Sequence, residues 1–195
     1  MKPDIIIGSK NKFKEEKLRW VVENFFSPKE PKEISEADED ADSFIKIAED
    51  KARHYSQSGG YAISTDGGAI IPVLEGVWDP VHTKRFADSD HERIYKLLSL
   101  MEGKSDRTIE WHEALAVAKD GVLIYSDSQK AMDGVIDTTF NEKYYQPGIW
   151  LCSITSFPTF DGKNFFELSE SEREQTEDSW TKLKANFESK IISLL

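Results

Sequence analysis

Three lysines fall within five residues in the stretch Ser9-Lys10-Asn11-Lys12-Phe13-Lys14. Backbone N–H groups at a helix start attract anions, and ammonium groups beside them add point charges, so this stretch can hold a polyphosphate. It reads equally as an ordinary solvated lysine face, and it is not the G-x-x-x-x-G-K-[ST] loop. A second stretch, YAISTDGGAIIP at 61–72, ends an apolar run in a lone aspartate, Asp66, followed by Gly67 and Gly68. A carboxylate at the end of a strand can bind a metal or take a proton from water, and glycines let a ligand approach the backbone. Asp-Gly also makes a plain turn, which is the simpler reading of the dipeptide alone. Glu49 and Asp50 follow Lys46 on a helical stretch; Mg²⁺ takes one or two such carboxylates plus phosphate oxygens, although most helix carboxylates are merely solvated. Arg85, in VHTKRFAD at 81–88, could clamp a phosphate or make a surface ion pair. His54, His82, His91 and His112 show no metal-ligand spacing, and Cys152, beside Leu151 and Ile154, reads as a structural thiol.

These groups need a scaffold. The 195 residues carry a net charge of −11 with 38% hydrophobic and 31% charged residues. That balance argues for an ordered globular chain and against a general nucleic-acid or anionic-membrane binder, since both partners favour a basic face. A small anion can still be held by a local basic cluster or a metal. A single cysteine excludes an intrachain disulfide and a cysteine-based zinc site. The early apolar run is too short for a signal peptide, and no window approaches the ~20 apolar residues of a membrane span, so a soluble cytoplasmic protein is the default expectation.

Periodicity predicts the elements. Residues 4–7 read as a buried strand, and 12–26 as a helix with Leu18, Val21, Val22 and Phe25 on one face. Residues 27–33 read as a loop and 34–42 as an acidic approach to a second helix, with Ser43 as its N-cap. Strands are expected at 61–64 and 69–74, the latter at an edge or bulge because of Pro72. A capped helix at 88–101 precedes a hairpin of 108–118 and 122–128 joined by Lys119-Asp120-Gly121. A strand near 131–136, an aromatic-rich loop at 140–150 and one long helix from Ser169 complete the chain. The helix has Trp180, Leu183, Phe187 and Ile191 on its apolar stripe. The expectation is a single α/β domain over 1–195, a mixed central β-sheet flanked by helices.

Taken in order, these stretches resemble the inosine triphosphate pyrophosphatase family. SKNKFK at 9–14 is similar to the family's T-G-N-K-x-K, with Asn11, Lys12 and Lys14 on matching positions and Lys10 replacing a glycine. SFIKIAEDKA at 43–52 resembles S-F-x-E-N-A-x-x-K-A through Ser43, Phe44, Ala48, Lys51 and Ala52, while Lys46 takes the place of the metal-binding glutamate. STDGGA at 64–69 resembles A-D-D-S-G-L, which puts Asp66 on the second aspartate, the general base and metal-site residue, with Thr65 on the first. TKRF at 83–86 resembles S-A-R-Y and matches at Arg85. Departures follow: Trp150 keeps only an aromatic of the G-F-G-Y-D-P loop, Arg173 stands where the family has a lysine, and Glu177, Asp178 and Ser179 replace Ser-His-Arg.

The resemblance implies a house-cleaning pyrophosphatase that converts deaminated purine nucleoside triphosphates to monophosphate and pyrophosphate with Mg²⁺, commonly as a homodimer. It assigns Asp66 to catalysis and to the metal, with Glu49 offered as the carboxylate missing at Lys46. Substrate binding falls to Ser9, Lys10, Asn11, Lys12, Lys14, Gly67, Arg85, Trp150 and Arg173. The alternative is a nucleotide-binding protein on the same fold without catalysis, in which the ammonium of Lys46 stands in for the cation. A third reading is an unrelated α/β interaction protein.

Overall fold

The computed structural model describes residues 2–31 and 41–192. The expected acidic segment at 34–42 therefore lies almost wholly outside the described residues. The chain forms two compact units, the first from Met1–Gly68, His112–Lys130 and Ser179–Leu195, the second from Ala69–Trp111 and Ala131–Asp178.

In the first unit, β1 (Asp4–Gly8) buries Ile5 and Ile7 completely. It lies between β2 (Ser27–Lys29) and β3 (Tyr61–Ile70), parallel to both, with Gly8 opposite Ser64. Residues 27–29 are thus a strand and not the start of a loop. The prolines explain it: Pro28 restricts Ser27 to extended backbone, and its missing N–H is tolerated because β2 is the sheet edge.

Between β1 and β2, α1 (Lys12–Val22) buries Leu18, Val21 and Val22. It stops at Val22, four residues earlier than the periodicity predicts, where the N–H groups of Phe25 and Phe26 both turn back to the Val22 carbonyl. α2 (Phe44–Ser56) buries Phe44, Ile47, Ala48 and Ala52, as the spacing predicts; Ser43 is its N-cap position but makes no side-chain cap bond.

The hairpin of β4 (Thr108–Lys119) and β5 (Val122–Lys130) follows the predicted turn. Asp120 and Gly121 have φ of 51° and 81°, the left-handed pair a tight two-residue connection requires. The expected long C-terminal helix is two helices, α4 (Glu170–Thr176) and α5 (Asp178–Ile191), broken at Glu177. The predicted stripe on α5 is real: Trp180, Leu183, Phe187 and Ile191 pack with Ile5, Ile7 and other residues of the first core.

In the second unit, α3 (Asp90–Leu100) starts from a reciprocal capping box of Ser89 and Glu92. The beginning of β4 pairs with β6 (Gly134–Ile136), and antiparallel pairing continues through β7 (Thr155–Phe157) to β8 (Lys163–Asn164). The Arg107 guanidinium donates to three carbonyls, those of Ile136 at 2.7 Å, Met101 at 2.8 Å and Asp137 at 2.6 Å, tying the end of α3 to the β6 region. Burial pushes the Cys152 thiol up to about 12, which favours the protonated thiol at neutral pH and fits a structural role. The predicted mixed sheet flanked by helices is what these strands and helices form. Among the described residues, no helix is long and apolar enough to cross a membrane.

Candidate active site

The first strand ends where the chemistry begins. A Cβ on Gly8 would come within 2.1 Å of Ser64 Oγ and 2.5 Å of the Tyr55 ring, so only glycine lets β1 end this close to β3 and α2. Ser64 Oγ donates to the Gly8 carbonyl at 3.1 Å, fixing the two strand ends side by side.

From Gly8 the chain enters α1 through Asn11. Its side-chain oxygen accepts from the N–H groups of Phe13 at 3.0 Å and Lys14 at 3.3 Å, and its own N–H donates to Ser9 Oγ at 3.3 Å. Two of the helix-start amides that could cradle an anion are therefore taken by the protein itself. This leaves the ammonium groups as the principal cationic element. Replacing Asn11 with alanine should cost about 1 kcal/mol of stability, the usual worth of such a cap, readable as a lower denaturation midpoint in urea.

Asp66 does not make a turn. β3 runs unbroken from Tyr61 through Asp66, Gly67 and Gly68 to Ile70, and Pro72–Leu74, expected as strand, is a single 3₁₀ turn. Thr65 Oγ1 donates to the Ala114 carbonyl at 2.6 Å and holds this part of β3 to β4. Asp66 thus sits in extended backbone, its carboxylate facing two lysines. Lys14 Nζ lies 3.4 Å from Asp66 Oδ1 and 3.5 Å from the Gly67 carbonyl oxygen, and Lys51 Nζ lies 3.5 Å from Asp66 Oδ1. The three side chains are only 15–20% exposed. Three elements, α1, α2 and β3, each contribute one member of this group. Lys51, which the sequence marks only as a match near the end of a helical motif, is the residue whose placement was missed.

Gly67 is also a point of close contact. An added Cβ would stand 2.2 Å from Glu113 Oε2, 2.4 Å from Glu113 Cδ and 2.6 Å from the His112 carbonyl oxygen. The Glu113 carboxylate of β4 therefore lies directly against the residue that follows Asp66. Its signal in the sequence is one acidic residue opening the apolar run Ala114–Ala118, and nothing in the spacing says where it points.

The other expected site residues lie as follows. Lys10 and Lys12 are exposed at the start of α1. Glu49 Oε1 accepts from Ser126 Oγ of β5 at 2.9 Å, and its other oxygen is 3.7 Å from Arg53. Lys46 is paired with Asp50 on the same helix. Arg85, Trp150 and Arg173 belong to the second unit. There Arg85 ends an exposed 3₁₀ turn, Trp150 is a core residue 6% exposed and edge-on to Trp78, and the Arg173 guanidinium lies 5.1 Å from the centre of the Phe165 ring. Among the described residues, no three or more His, Cys, Asp or Glu side chains gather as a ready-made metal cage. What the site offers a Mg²⁺ ion is the hard carboxylate oxygen of Asp66, which would leave the remaining positions to phosphate oxygens and water.

Comparison with known proteins bears on the family and the fold. A protein named dITP/XTP pyrophosphatase, from Prochlorococcus marinus, is 33% identical over 148 residues, 72% of each chain. A second of the same name, from Parasynechococcus marenigrum, is 33% identical over 84 residues, and that match spans 43% of its length. The solved structure of a HAM1 protein from Coxiella burnetii shares the fold with a TM-score of 0.79 at 21% identity, covering 96% of this chain and 99% of the other. The sequence model of the Ham1 family matches residues 5–176, the stretch that holds Lys14, Lys51, Asp66 and Gly67, and the chain belongs to that family.

Proposed function

We propose that the protein is a nucleoside triphosphate pyrophosphatase that hydrolyses deaminated purine nucleoside triphosphates such as ITP, dITP and XTP to monophosphate and pyrophosphate. The observation that carries the reading is Asp66 between Lys14 and Lys51 at the end of a parallel strand pair, in a chain of this family. The names of the relatives support the same chemistry.

In this reading, the polyphosphate takes over the ammonium groups of Lys14 and Lys51, which neutralise its oxygens as charge shifts toward the leaving pyrophosphate. Asp66, released from them, orients a water and accepts its proton as the oxygen attacks phosphorus. Magnesium, held by Asp66 with phosphate oxygens, would supply further charge neutralisation. The burial of the three charged groups strengthens each of these interactions relative to water. The resemblance extends to a homodimer, and a cytoplasmic location is the default expectation of the sequence; both are part of the proposal.

The test is release of phosphate in the presence of added inorganic pyrophosphatase, over ITP, dITP, XTP and the common nucleoside triphosphates. Turnover is expected with the deaminated substrates in Mg²⁺, lost in EDTA, and no orthophosphate should appear when the coupling enzyme is omitted. Thermal stabilisation by nucleotide with no turnover would instead make the protein a non-catalytic binder and overturn the proposal.

A further inference from the structure

The strand that carries Asp66 has two faces. Ile63 of β3 points into the first core, with Leu18 of α1 and Phe187 of α5. Strand alternation puts Ser64 and Asp66 together on the opposite face. There α2 lies over them, and Lys51 of α2 stands 3.5 Å from Asp66 Oδ1. One helical turn further along α2, the Tyr55 ring closes over the end of β1. Its Cδ2 is 2.5 Å and its Cε2 3.0 Å from the position a Cβ on Gly8 would take. Gly8 is in turn the cross-strand partner of Ser64.

The two spacings match. Four residues of helix rise about 6 Å, and two residues of strand rise about 6.6 Å. Lys51 and Tyr55 therefore step over Asp66 and Ser64 in turn, with α2 and β3 running in opposite directions. Where the ring seats against Gly8 decides where Lys51 falls along β3. The other ties of α2, from Ser126 Oγ to Glu49 at 2.9 Å and from the Gly121 N–H to Ser56 Oγ at 3.0 Å, run to the β4–β5 hairpin and not to β1 or β3. A lysine chain loses rotamer entropy when its ammonium is held at one point. A fixed helix position narrows the range that the chain has to give up.

We propose that Tyr55 is a positioning residue of the active site. Its ring, seated against Gly8, fixes α2 where the Lys51 ammonium meets Asp66 and, once substrate arrives, the polyphosphate. The inference rests on the pyrophosphatase reading above and adds to it a residue that acts through Lys51.

The experiment is calorimetric binding of inorganic tripolyphosphate in Mg²⁺ to the wild-type protein, Lys51→Gln, Tyr55→Leu and the double variant. Lys51→Gln should bind about ten-fold more weakly, the worth of one charge-assisted contact. Tyr55→Leu should lose most of the same factor. The double variant should bind no more weakly than Lys51→Gln alone, because the ring acts through the lysine. Tyr55→Phe keeps the ring and should bind as the wild type does. Tyr55→Met, a thinner chain that leaves part of the ring's place empty, should lose part of the factor and carries the test if the leucine variant does not fold. A tyrosine that only stabilised the fold would lower the melting temperature and leave the affinity of the folded protein unchanged. Wild-type affinity in Lys51→Gln, in Tyr55→Leu or in Tyr55→Met overturns the inference. So does an equal loss from Tyr55→Leu with and without Lys51, or a loss in Tyr55→Phe, and each of these leaves the pyrophosphatase reading intact. Failure of the wild-type protein to bind tripolyphosphate at all overturns both.

Discussion

Replacing Asp66 with asparagine should lower kcat by about 10²- to 10⁴-fold, the usual contribution of a positioned general base. The amide keeps the shape of the carboxylate but cannot accept a proton from water. It also removes an anion that Lys14 and Lys51 both face, at 3.4 and 3.5 Å. Those ammonium groups keep their charge for phosphate, so KM for the nucleotide should stay constant or fall. Stability should move little, because the lost ion pairs are long and partly solvated, each worth about 1 kcal/mol or less. Steady-state kinetics and a thermal melt on the same preparation separate these effects. An Asp66→Asn protein with kcat within a factor of three of wild type would remove Asp66 from the chemistry.

Gly67→Ala is expected to damage both stability and activity. The new methyl group would meet the Glu113 carboxylate at 2.2 Å and the backbone oxygen of His112 at 2.6 Å, distances no relaxed Cβ adopts. Overpacking of this kind costs about 1–3 kcal/mol. Removing a glycine from a strand returns about 0.5–1 kcal/mol through the unfolded chain, so the clash wins. Because Asp66 is the adjoining residue, the shift that relieves the clash also moves the carboxylate relative to Lys14 and Lys51, and kcat should fall. Truncating the neighbour as well, in Gly67→Ala/Glu113→Ala, opens the side-chain half of the collision and leaves the backbone half. The double variant should recover part of the lost stability, with a coupling of about 0.5–3 kcal/mol between the two changes. Urea denaturation of the four proteins in the cycle measures it, and strictly additive changes would mean that the Glu113 side chain does not fill that space.

What could be read from the sequence follows from how local each signal is. The hairpin about Asp120-Gly121 and the capped start of α3 depend on a few neighbouring residues, and both were legible, although only the structure shows Ser89 to be the cap. So was the apolar stripe of α5, since a 3.6-residue repeat survives whatever the helix packs against. Its continuity was not, because Ser169 and Glu172 cap a separate short helix whose end at Glu177 has no proline or glycine to announce it. The Asp-Gly-Gly stretch misled in the opposite direction. Its turn propensity is overridden by β3 pairing and by the need for a residue without a side chain beside Glu113. The group around Asp66 needs three segments, 52 residues apart at the widest, and no periodicity records such a meeting. There the resemblance to a family supplied Asp66 and Lys14 as site residues and Lys51 as a motif match, whereas the meeting of Lys51 with Asp66 and the place of Glu113 against Gly67 emerged only from the folded chain.

The interleaving of the two units bears on how the protein is made. Lys14, Lys51 and Asp66 all lie within Met1–Gly68, yet the unit that holds them also draws on His112–Lys130 and Ser179–Leu195. Synthesis at about 5–20 residues per second delivers every charged member of the group long before Leu183, Phe187 and Ile191, which close the core behind β1. A nascent chain thus carries the reactive groups early and the means to hold them late. Chain termination before Leu183 would accordingly be as damaging as changes at Asp66, although the apolar stripe of α5 contributes packing and not chemistry.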